Sequence, residues 1–590
     1  MRARAGDPPR TMADKIFAGR HPQAFAPGDR LDVKVDHVAL TRDCGATLSL
    51  AKEAGIKSSP VEVAVAYAPR AIDDVEADSP ASIAAFVAHG VTWARSGVGY
   101  AAAVHLERFA GPSRICVTDD PRLIGLGGMG MLTYLLSPSE LARALVRGTA
   151  TVQAPRTVQV LVSGKTRPFV STRDVAFELL RRGLRDKVER AQQQSGAPVV
   201  LEFGGPSVRL LSVPDRALLA SMAPEFGAMG ALFPSDERAE SFLRDQRRSK
   251  AHRVLHSDPG ASCADVMSVD MSLVDPLLMD EKGAVRTVRE LNGTPIRQAV
   301  LGGDFGAPLR DLASVAALLA SKRVLPSLDL LLAWPTRQVL EVLASTGALQ
   351  TLIATGVRLV EPDRRALRGD MYAPPEGGPS IRTTELDPSC RNGRVLIASP
   401  ETVAFAAAAG QIGDPRGFKR PPRVTLPREL PTDDGLIIRD KKQLPPPAEL
   451  PGKPVVAVGI PSGKLTVVEL AKVPAVSGEP IAVIAASTHD GLRVADLAWH
   501  RSDVRAVVVP YLTRMLSTAL AQVKVAALIA TPEVIAQVTK KGSLDLSLSA
   551  GSANLGGGLS AECPGHQDFP IGAVHTKRDG AAEPKGKKAR

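Results

Sequence analysis

Prolines are concentrated in one segment of this chain, residues 419–454, and they limit how the whole chain can fold. The nine prolines of the segment are Pro421, Pro422, Pro427, Pro431, Pro445, Pro446, Pro447, Pro451 and Pro454. Each lacks a backbone N–H and has a fixed φ, so this density can continue neither a helix nor an interior strand. The sequence therefore predicts a semi-rigid linker between two separately folded parts.

Before this segment, from Met12 to Phe418, short β-branched stretches alternate with helical patterns. Strands are predicted at 158–161, 198–202, 296–301 and 328–332. Helices are predicted at 138–147, 172–182 and 336–345. This alternation is typical of α/β/α layers. A smaller α/β unit is predicted after the linker, with strands at 481–486 and 504–510.

Composition indicates an ordinary globular protein of several domains, with 44% hydrophobic and 23% charged residues. No apolar run reaches membrane-spanning length, and the amino terminus lacks the hydrophobic core of a secretory signal. The five cysteines lie far apart, with no metal-type spacing and no sign of a disulfide framework. We therefore expect a cytoplasmic protein with reduced thiols and no membrane partner.

The net charge of +11 raises the question of nucleic acid, but its distribution argues against it. Residues 577–590 hold six basic and two acidic side chains and almost nothing apolar, so they are expected to form a disordered basic tail. Aromatic residues are only 4% of the chain, and no aromatic-rich basic patch is present. A solubilising tail is favoured over a nucleic-acid-binding arm.

Two glycine-rich stretches invite a nucleotide-binding interpretation. The first, Gly125 to Gly130, does not turn directly from a strand into a helix, so packing is the favoured explanation. The second, Gly302-Gly303-Asp304-Phe305-Gly306, lacks the Lys-Ser/Thr pair of a P-loop. It follows the predicted strand 296–301 and precedes an amphipathic helix. That helix has one apolar face, made of Leu309, Leu312, Val315, Ala316 and Leu319.

Six short sequence blocks are distributed along the chain. They read VHLERF at 104–109, GGMGM at 127–131, SVPDR at 212–216, FPSDE at 233–237, SPET at 399–402 and GDPR at 413–416. In this order they resemble the single-chain bacterial aconitases, in the aconitase and isopropylmalate dehydratase family of iron–sulfur hydro-lyases. The resemblance runs from Met12, a candidate start, to about residue 558.

The resemblance implies an α/β fold with three α/β/α aconitase-type domains and a linked, smaller α/β swivel domain. The boundaries expected from it are an N-terminal extension at 1–29 and α/β/α domains at 30–200, 201–320 and 321–418. The Pro-rich linker at 419–454, a swivel domain at 455–571 and the basic tail at 572–590 complete the plan.

The family holds a [4Fe–4S] cluster with three cysteines, one in a Gly-Ser-Cys-Thr-Asn loop and two in a Cys-Gly-Pro-Cys motif. At the matching positions this chain has Asp304, Arg364 and Leu367. Iron in such clusters is held by thiolates, and a guanidinium has no lone pair to donate. The resemblance thus implies an iron–sulfur cofactor, whereas the residues predict no cofactor and no metal site.

Other family positions that bind substrate or move protons are also changed. Asp-Ser-His reads Asp119-Asp120-Pro121, Asp-His reads Pro69-Arg70, and Arg42 precedes a retained Asp43. In the swivel domain the serine base corresponds to Gly491, which has no side chain to accept a proton. Asp43, Asp119 and Gly491 are therefore expected to be vestigial positions, with no catalytic residue among them.

Two substrate-carboxylate arginines of the family have counterparts, Arg391 and Arg493, and a third is replaced by Leu386. Guanidinium groups bind carboxylates bidentately, so Arg391 and Arg493 are candidate binding residues for a polycarboxylate. The alternative is that both persist by chance or in salt bridges.

Two functions follow from these residues. The favoured one is a non-catalytic family member that binds a polycarboxylate, a protein or RNA. The alternative is a hydro-lyase or isomerase acting on a di- or tricarboxylic acid with rebuilt, cluster-free chemistry. Its charged set would be Arg42, Asp43, Arg70, Asp119, Asp120, Asp304 and Arg364.

Overall fold

A computed structural model of the 590-residue chain contains two compact units, Met1–Pro447 and Ala448–Arg590. Apart from the side chains of residues 441, 499, 549 and 551, the structure describes these residues: 8–42, 44–68, 79–363, 372–375, 377–384, 395–427, 429–444, 463–474, 478–513, 516–517, 519–520, 523–549 and 551–563.

The first sheet of the larger unit has six strands with a helical layer on each face. In order across the sheet the strands are Ile437–Ile438, Thr92–Ala94, Val63–Tyr67, His37–Leu40, Arg114–Thr118 and Met131–Leu135. One face packs against helices Cys44–Glu53, Pro80–Val87 and Pro138–Arg147. The other packs against helix Ala101–Arg108 and the 3₁₀ helix Pro121–Met129. All strands are parallel except Ile437–Ile438. Because strands His37–Leu40 and Arg114–Thr118 lie between two helical layers, buried positions follow one another along them rather than alternating with exposed ones.

The second sheet has four parallel strands. In order they are Gly230–Leu232, Val199–Gly204, Arg156–Ser163 and Val266–Asp270. Helices Thr172–Arg181, Leu184–Ser195 and Val213–Ser221 share a core with this sheet. Helix Glu237–Asp245 follows the sheet's edge strand in sequence and contributes Leu243 to the core behind the first sheet.

The third sheet has seven strands. In order they are Val285–Thr287, Leu277–Met279, Val395–Ala398, Ser380–Arg382, Gln298–Gly302, Asp329–Ala333 and Arg358–Val360. Leu277–Met279 pairs antiparallel with both of its neighbours, and the remaining pairs are parallel. Four helices pack on it, Leu309–Leu319, Arg337–Ser345, Ala348–Thr355 and Pro400–Ala409.

The smaller unit is built on a closed seven-stranded barrel. Around the barrel the strands are Gly463–Glu469, Ile481–Ile484, Val504–Val509, Ala526–Ile529, Leu559–Cys563, Gly551–Gly556 and Ser543–Ser549. Its described part also contains helices Thr488–His500 and Pro532–Lys541 and the 3₁₀ helix Leu470–Lys472. The unit is mixed α/β, as the sequence predicts.

Several predicted elements are confirmed, and their caps explain why. Helix Pro138–Arg147 has the predicted bounds because Ser137 and Glu140 form a capping box and Gly148 ends the helix at φ 72°. Helix Arg337–Ser345 begins after Thr336, whose side chain accepts a hydrogen bond from the N–H of Val339. Local sequence therefore fixes these element ends.

The predicted domain boundaries at 200 and 320 do not follow the sheets. Strand Arg156–Ser163, placed by the sequence in the domain at 30–200, pairs with Val199–Gly204 and Val266–Asp270. Strands Leu277–Met279 and Gln298–Gly302, placed in the domain at 201–320, belong to the third sheet. Parallel strands join through helical crossovers, so chain order alone does not state which strands pair.

The predicted N-terminal extension, 1–29, also needs correction, because helix Met12–Ala18 is part of the core. Its Ile16 and Phe17 are fully buried. The carboxylate of Glu202 accepts hydrogen bonds from the backbone N–H groups of Met12 (3.0 Å) and Ala13 (2.8 Å). A carboxylate stabilises a helix N-terminus, so this helix is fastened to the second sheet.

The predicted linker, 419–454, is not a free connection along its whole length. Ile437 and Ile438 form an edge strand against Thr92–Ala94, and both side chains are buried. Apolar residues between the proline groups made this pairing possible, because prolines are compatible with an edge strand's flanks. Residues 445–462 and the predicted tail at 572–590 lie outside the described residues.

Candidate functional site

The loop after strand Gln298–Gly302 is held by close backbone packing that requires glycine. Gly302 has φ +100°, and a Cβ there would lie 1.9 Å from the carbonyl oxygen of Ala333. A Cβ on Gly306 would lie 2.3 Å from the carbonyl oxygen of Thr383. The Thr383 hydroxyl also bonds the N–H (2.9 Å) and the carbonyl (3.0 Å) of Gly302. The loop therefore holds Asp304 at the carboxyl edge of the third sheet.

Asp304 forms an ion pair with Arg122, which lies in the helical layer of the first sheet. The Arg122 guanidinium lies 3.6 Å from the Asp304 carboxylate, and their side chains are 20% and 12% exposed. Arg122 is placed by the start of the 3₁₀ helix Pro121–Met129, where Asp120 caps the Arg122 N–H at 3.1 Å. We call Tyr100, Arg122 and Asp304 the Asp304 site.

Tyr100, the third residue of this site, immediately precedes helix Ala101–Arg108. The residue is buried in one cluster with Val300, on the strand that leads into the Asp304 loop, and with Leu331 and Ala333, on the neighbouring strand. Burial, and secondarily the charge of Asp304, raise the pKa of Tyr100 well above its ordinary value. The phenol therefore stays protonated at neutral pH. Sequence reasoning missed Tyr100 and Arg122, because neither stands in a family site motif.

Asp119, a predicted vestigial position, joins the ends of two strands of the first sheet. Its carboxylate accepts hydrogen bonds from the Thr41 N–H (2.9 Å), the Thr41 hydroxyl (2.8 Å) and the Arg42 N–H (2.9 Å). The Arg42 side chain is exposed. With both oxygens engaged in this way, Asp119 acts as a structural carboxylate.

The VHLERF block ties the first sheet's helical layer to the third sheet. Glu107 accepts a hydrogen bond from the Thr336 hydroxyl at 3.0 Å, and burial raises the pKa of Glu107 to about 7. Next to it, the Tyr100 N–H donates to the Pro335 carbonyl at 2.9 Å, and Gly99 bridges Thr336. This framework block therefore positions the Asp304 site.

The Gly125–Gly130 stretch serves packing, as the sequence indicates. A Cβ on Gly127 would lie 1.7 Å from the Ala231 carbonyl oxygen, and one on Gly128 would lie 2.3 Å from the Ala217 nitrogen. The glycines let the 3₁₀ helix approach the second sheet and helix Val213–Ser221.

In the smaller unit the predicted loop at 490–495 is instead part of helix Thr488–His500. Ser487 caps this helix through the Asp490 N–H at 3.1 Å, which explains why the polar stretch begins a helix. Gly491 is buried, and a Cβ there would lie 2.6 Å from the Leu516 side chain. Arg493 is exposed on the same helix.

Several predicted site residues lie outside the described residues, and the structure places none of them. They are Asp43, Arg364, Leu367 and Arg391, together with Arg70 and Leu386.

Within the described ranges, no group of three or more His, Cys, Asp or Glu side chains is arranged to hold a metal ion. Among the described residues, Cys44, Cys116, Cys263 and Cys563 are not joined by disulfides, and three of them are buried. Across the same ranges, no helix has the length and apolar character needed to cross a membrane.

Comparison with known proteins agrees with the fold. The model of the aconitase family (aconitate hydratase) matches residues 82–288. The 3-isopropylmalate dehydratase large subunit of Moorella thermoacetica is 26% identical over 426 residues, covering 69% of this chain and 98% of that protein. By both comparisons the chain is similar to the aconitase and isopropylmalate dehydratase superfamily.

Other superfamily members show the same range of similarity. Large subunit 1 of Thermotoga maritima is 25% identical over 425 residues, covering 69% of this chain and 99% of that protein. Large subunit 2 of Rubrobacter xylanophilus is 29% identical over 311 residues, covering 52% and 71% respectively.

Proposed function

We propose that this protein is a cluster-free, non-catalytic member of the superfamily that acts by binding a ligand. The observation that carries the proposal is the Arg122–Asp304 ion pair at 3.6 Å, at the position where the family has its first cluster cysteine. A carboxylate is a harder ligand than the thiolate that iron–sulfur clusters require. Here it is balanced by a protein cation.

The donor set as a whole does not fit a [4Fe–4S] cluster. The family's other two ligand positions hold Arg364 and Leu367. A guanidinium stays protonated and repels cations, and an isobutyl group has no donor atom.

The proposed loss of the serine base has a packing counterpart. Gly491, at the matching position, lies in a helix where Leu516 takes the space a side chain would need. A general base must reach the proton it abstracts, and glycine offers no atom to do so.

We further propose that the smaller unit is the superfamily's swivel domain, joined covalently. The support is its separate barrel core and the coverage of relatives named as large subunits, which match 69% of this chain over nearly their full length.

The test is the iron and sulfide content of protein purified and reconstituted without oxygen, with its visible absorption spectrum. The 3-isopropylmalate dehydratase of Moorella thermoacetica, treated in parallel, controls for the reconstitution. We expect substoichiometric iron, no broad visible band, and no turnover of citrate, isocitrate or isopropylmalate above background. Stoichiometric iron with a cubane spectrum would overturn the proposal, and cluster-free turnover would establish the rebuilt-enzyme alternative instead.

Polycarboxylate binding is the ligand class that the superfamily suggests, with Arg391 and Arg493 as candidate residues. A ligand that binds only the folded state raises the melting temperature by mass action. We expect millimolar citrate to do so, and we expect Arg493→Ala to remove most of the shift without changing the ligand-free melting temperature, because Arg493 is exposed. A shift that survives Arg493→Ala would place the ligand elsewhere.

A further inference from the structure

Residues 431–438 of the Pro-rich segment cross the larger unit and end in its first sheet, and we call them the strap. Two side chains hold its beginning, because the Pro431 carbonyl accepts hydrogen bonds from Arg108 at 3.2 Å and from Gln338 at 2.6 Å. Its other end is strand Ile437–Ile438, at the edge of the first sheet. The strap is therefore held at both ends by residues that lie far from it in sequence.

Between its two ends the strap brings Asp434 close to Glu107, on helix Ala101–Arg108. The Asp434 side chain is 6% exposed, and its carboxylate lies 3.6 Å from the Arg337 guanidinium. Glu107 accepts the Thr336 hydroxyl through Oε1, whereas its Oε2 is shielded from solvent and has no hydrogen-bond partner among the described residues. Burial raises the pKa of Glu107 to about 7, and the charge of Asp434 adds to the rise. An uncharged carboxylic acid fits this place better than a carboxylate does.

The other charged and titratable groups around Glu107 keep their charge near neutral pH. Arg108 favours the ionised form of Glu107, but its guanidinium is already bonded to the strap at 3.2 Å. Arg248 donates to the backbone carbonyl of Glu107 and not to its carboxylate. His105, on the same helix, stays neutral because burial lowers its pKa to about 3. Among these groups, Glu107 is therefore the one whose charge changes beside Asp434.

We propose that the strap is a pH-sensitive closure, which stays in place while Glu107 is protonated and opens more often once Glu107 is ionised. Ionisation puts a second negative charge beside Asp434 in a place shielded from water. Opening separates the two carboxylates and admits water to both. The eight freed residues extend the chain available between the two compact units by up to about 25 Å, at about 3.3 Å per residue. Such a closure operates with or without a cluster in the larger unit.

Proton binding sets the direction of the pH effect. With the strap closed the pKa of Glu107 is about 7, and with the strap open a solvated glutamate has an ordinary value of about 4.3. The closed form therefore binds more protons between these two values. Closure is most stable below about pH 4.3 and weakens as the pH rises through about 7. Between pH 6 and pH 8 the opened fraction should rise about tenfold.

Hydrogen exchange of the full chain, read by mass spectrometry at pH 6 and pH 8, tests the proposal. The measured quantity is the protection factor of a peptide containing Ile437 and Ile438, with each rate divided by that of the unfolded peptide at the same pH. We expect protection at pH 8 to be about tenfold lower than at pH 6. Helix Pro138–Arg147 should change less than the strap, which shows that the larger unit stays folded.

Three variants separate the titration of Glu107 from a general loss of structure. Glu107→Gln keeps an acceptor for Thr336 but cannot ionise, so the strap should be equally protected at the two pH values. Asp434→Asn removes the second charge, so the difference between the pH values should be smaller than in the parent. Glu240→Gln, at an exposed position, is the matched control and should keep the response of the parent.

Three outcomes would overturn the inference: equal protection of the parent strap at both pH values, a parent-like response in Glu107→Gln, or an equal loss of protection in the strap and in helix Pro138–Arg147. If Glu107→Gln does not fold, Asp434→Asn decides, and a response as large as that of the parent would refute the role of the two carboxyl groups.

Discussion

His37 and Tyr67, on strands of the first sheet, and His105, on helix Ala101–Arg108, form a buried row of hydrogen-bonded side chains. The Nδ1 of His37 lies 3.0 Å from the Nε2 of His105, and the Tyr67 hydroxyl lies 2.9 Å from the Nδ1 of His105. Burial lowers the pKa of both histidines, to about 3 for His105, and the nearby Arg248 acts in the same direction. The folded state therefore needs both rings neutral.

These buried neutral histidines predict that the folded protein loses stability in acid. The unfolded histidine has a pKa of about 6.5, above the folded value, so the unfolded state binds more protons below that pH. The contribution is complete above about pH 6.5 and falls as the pH falls toward 3. His105→Asn should be destabilising at pH 7.5, and its deficit should shrink by about 2 kcal/mol at pH 5.

Urea denaturation of parent and His105→Asn at the two pH values measures this difference. The comparison is needed because buried Glu107 and Asp174, each with its pKa raised to about 7, change stability in the opposite direction. A constant deficit for His105→Asn would contradict the buried-neutral account.

Introducing a side chain at position 491 should lower the stability of the fold. Gly491→Ser places its Cβ about where Leu516 lies, 2.6 Å away. We expect a loss of about 1–3 kcal/mol from overpacking and no gain of hydro-lyase activity. Chemical denaturation and a turnover assay check both parts. If the new side chain collides with Leu516, Gly491→Ser should cost less stability in a Leu516→Ala background than in the parent. Equal costs in the two backgrounds would show that the two residues do not collide.

At the scale of elements, the framework blocks connect helices through buried polar contacts. Arg216, in SVPDR, is fully buried and pairs with Asp236, in FPSDE, through Nη1–Oδ1 (3.0 Å) and Nη2–Oδ2 (2.7 Å) contacts. It also donates to the carbonyls of Leu211, Pro234 and Val208. Asp236 in turn caps helix Glu237–Asp245. One pair thus orders two helices.

Removing this arginine should be strongly destabilising. Arg216→Ala removes one donor from each of three carbonyls and both guanidinium contacts from the Asp236 carboxylate, so we expect a loss of about 3–5 kcal/mol. Arg185→Ala, which breaks an exposed pair with Glu189 along one helix, should cost less than about 1 kcal/mol. Equilibrium unfolding measures both variants, and similar losses would mean that the SVPDR–FPSDE pair contributes little.

At the scale of the whole molecule, the division between the two units lies near the C-terminal end of the Pro-rich segment, 419–454. Ile437 and Ile438 are buried in the first sheet, and the two compact units divide at Pro447 and Ala448. Residues 437 and 438 of the Pro-rich segment therefore belong to the larger unit.

Limited proteolysis should locate that connection. We expect the first cleavage between Arg439 and Gly463, because a protease needs backbone that is not held in a sheet. Mass spectrometry of the early fragments should show one large and one small stable product. First cleavage between residues 419 and 438, or inside the larger unit, would contradict the placement of the connection.

Local sequence determined the elements, since hydrophobic period and capping act over a few residues. Helix Pro138–Arg147 and strand Asp329–Ala333 lie where the pattern predicts them. The framework blocks likewise carried the resemblance to the superfamily, and the sequence itself gives aspartate, arginine and leucine at 304, 364 and 367.

Tertiary structure alone decided which elements meet. Strand Arg156–Ser163 joins the second sheet, and Ile437–Ile438 returns to the first, through pairings between residues far apart in sequence. Tyr100, Arg122 and Asp304 carry no joint signal in the sequence, because they are separated by long stretches of chain. They come together only when the first and third sheets pack, and long-range packing depends on the whole set of buried faces rather than on any local motif.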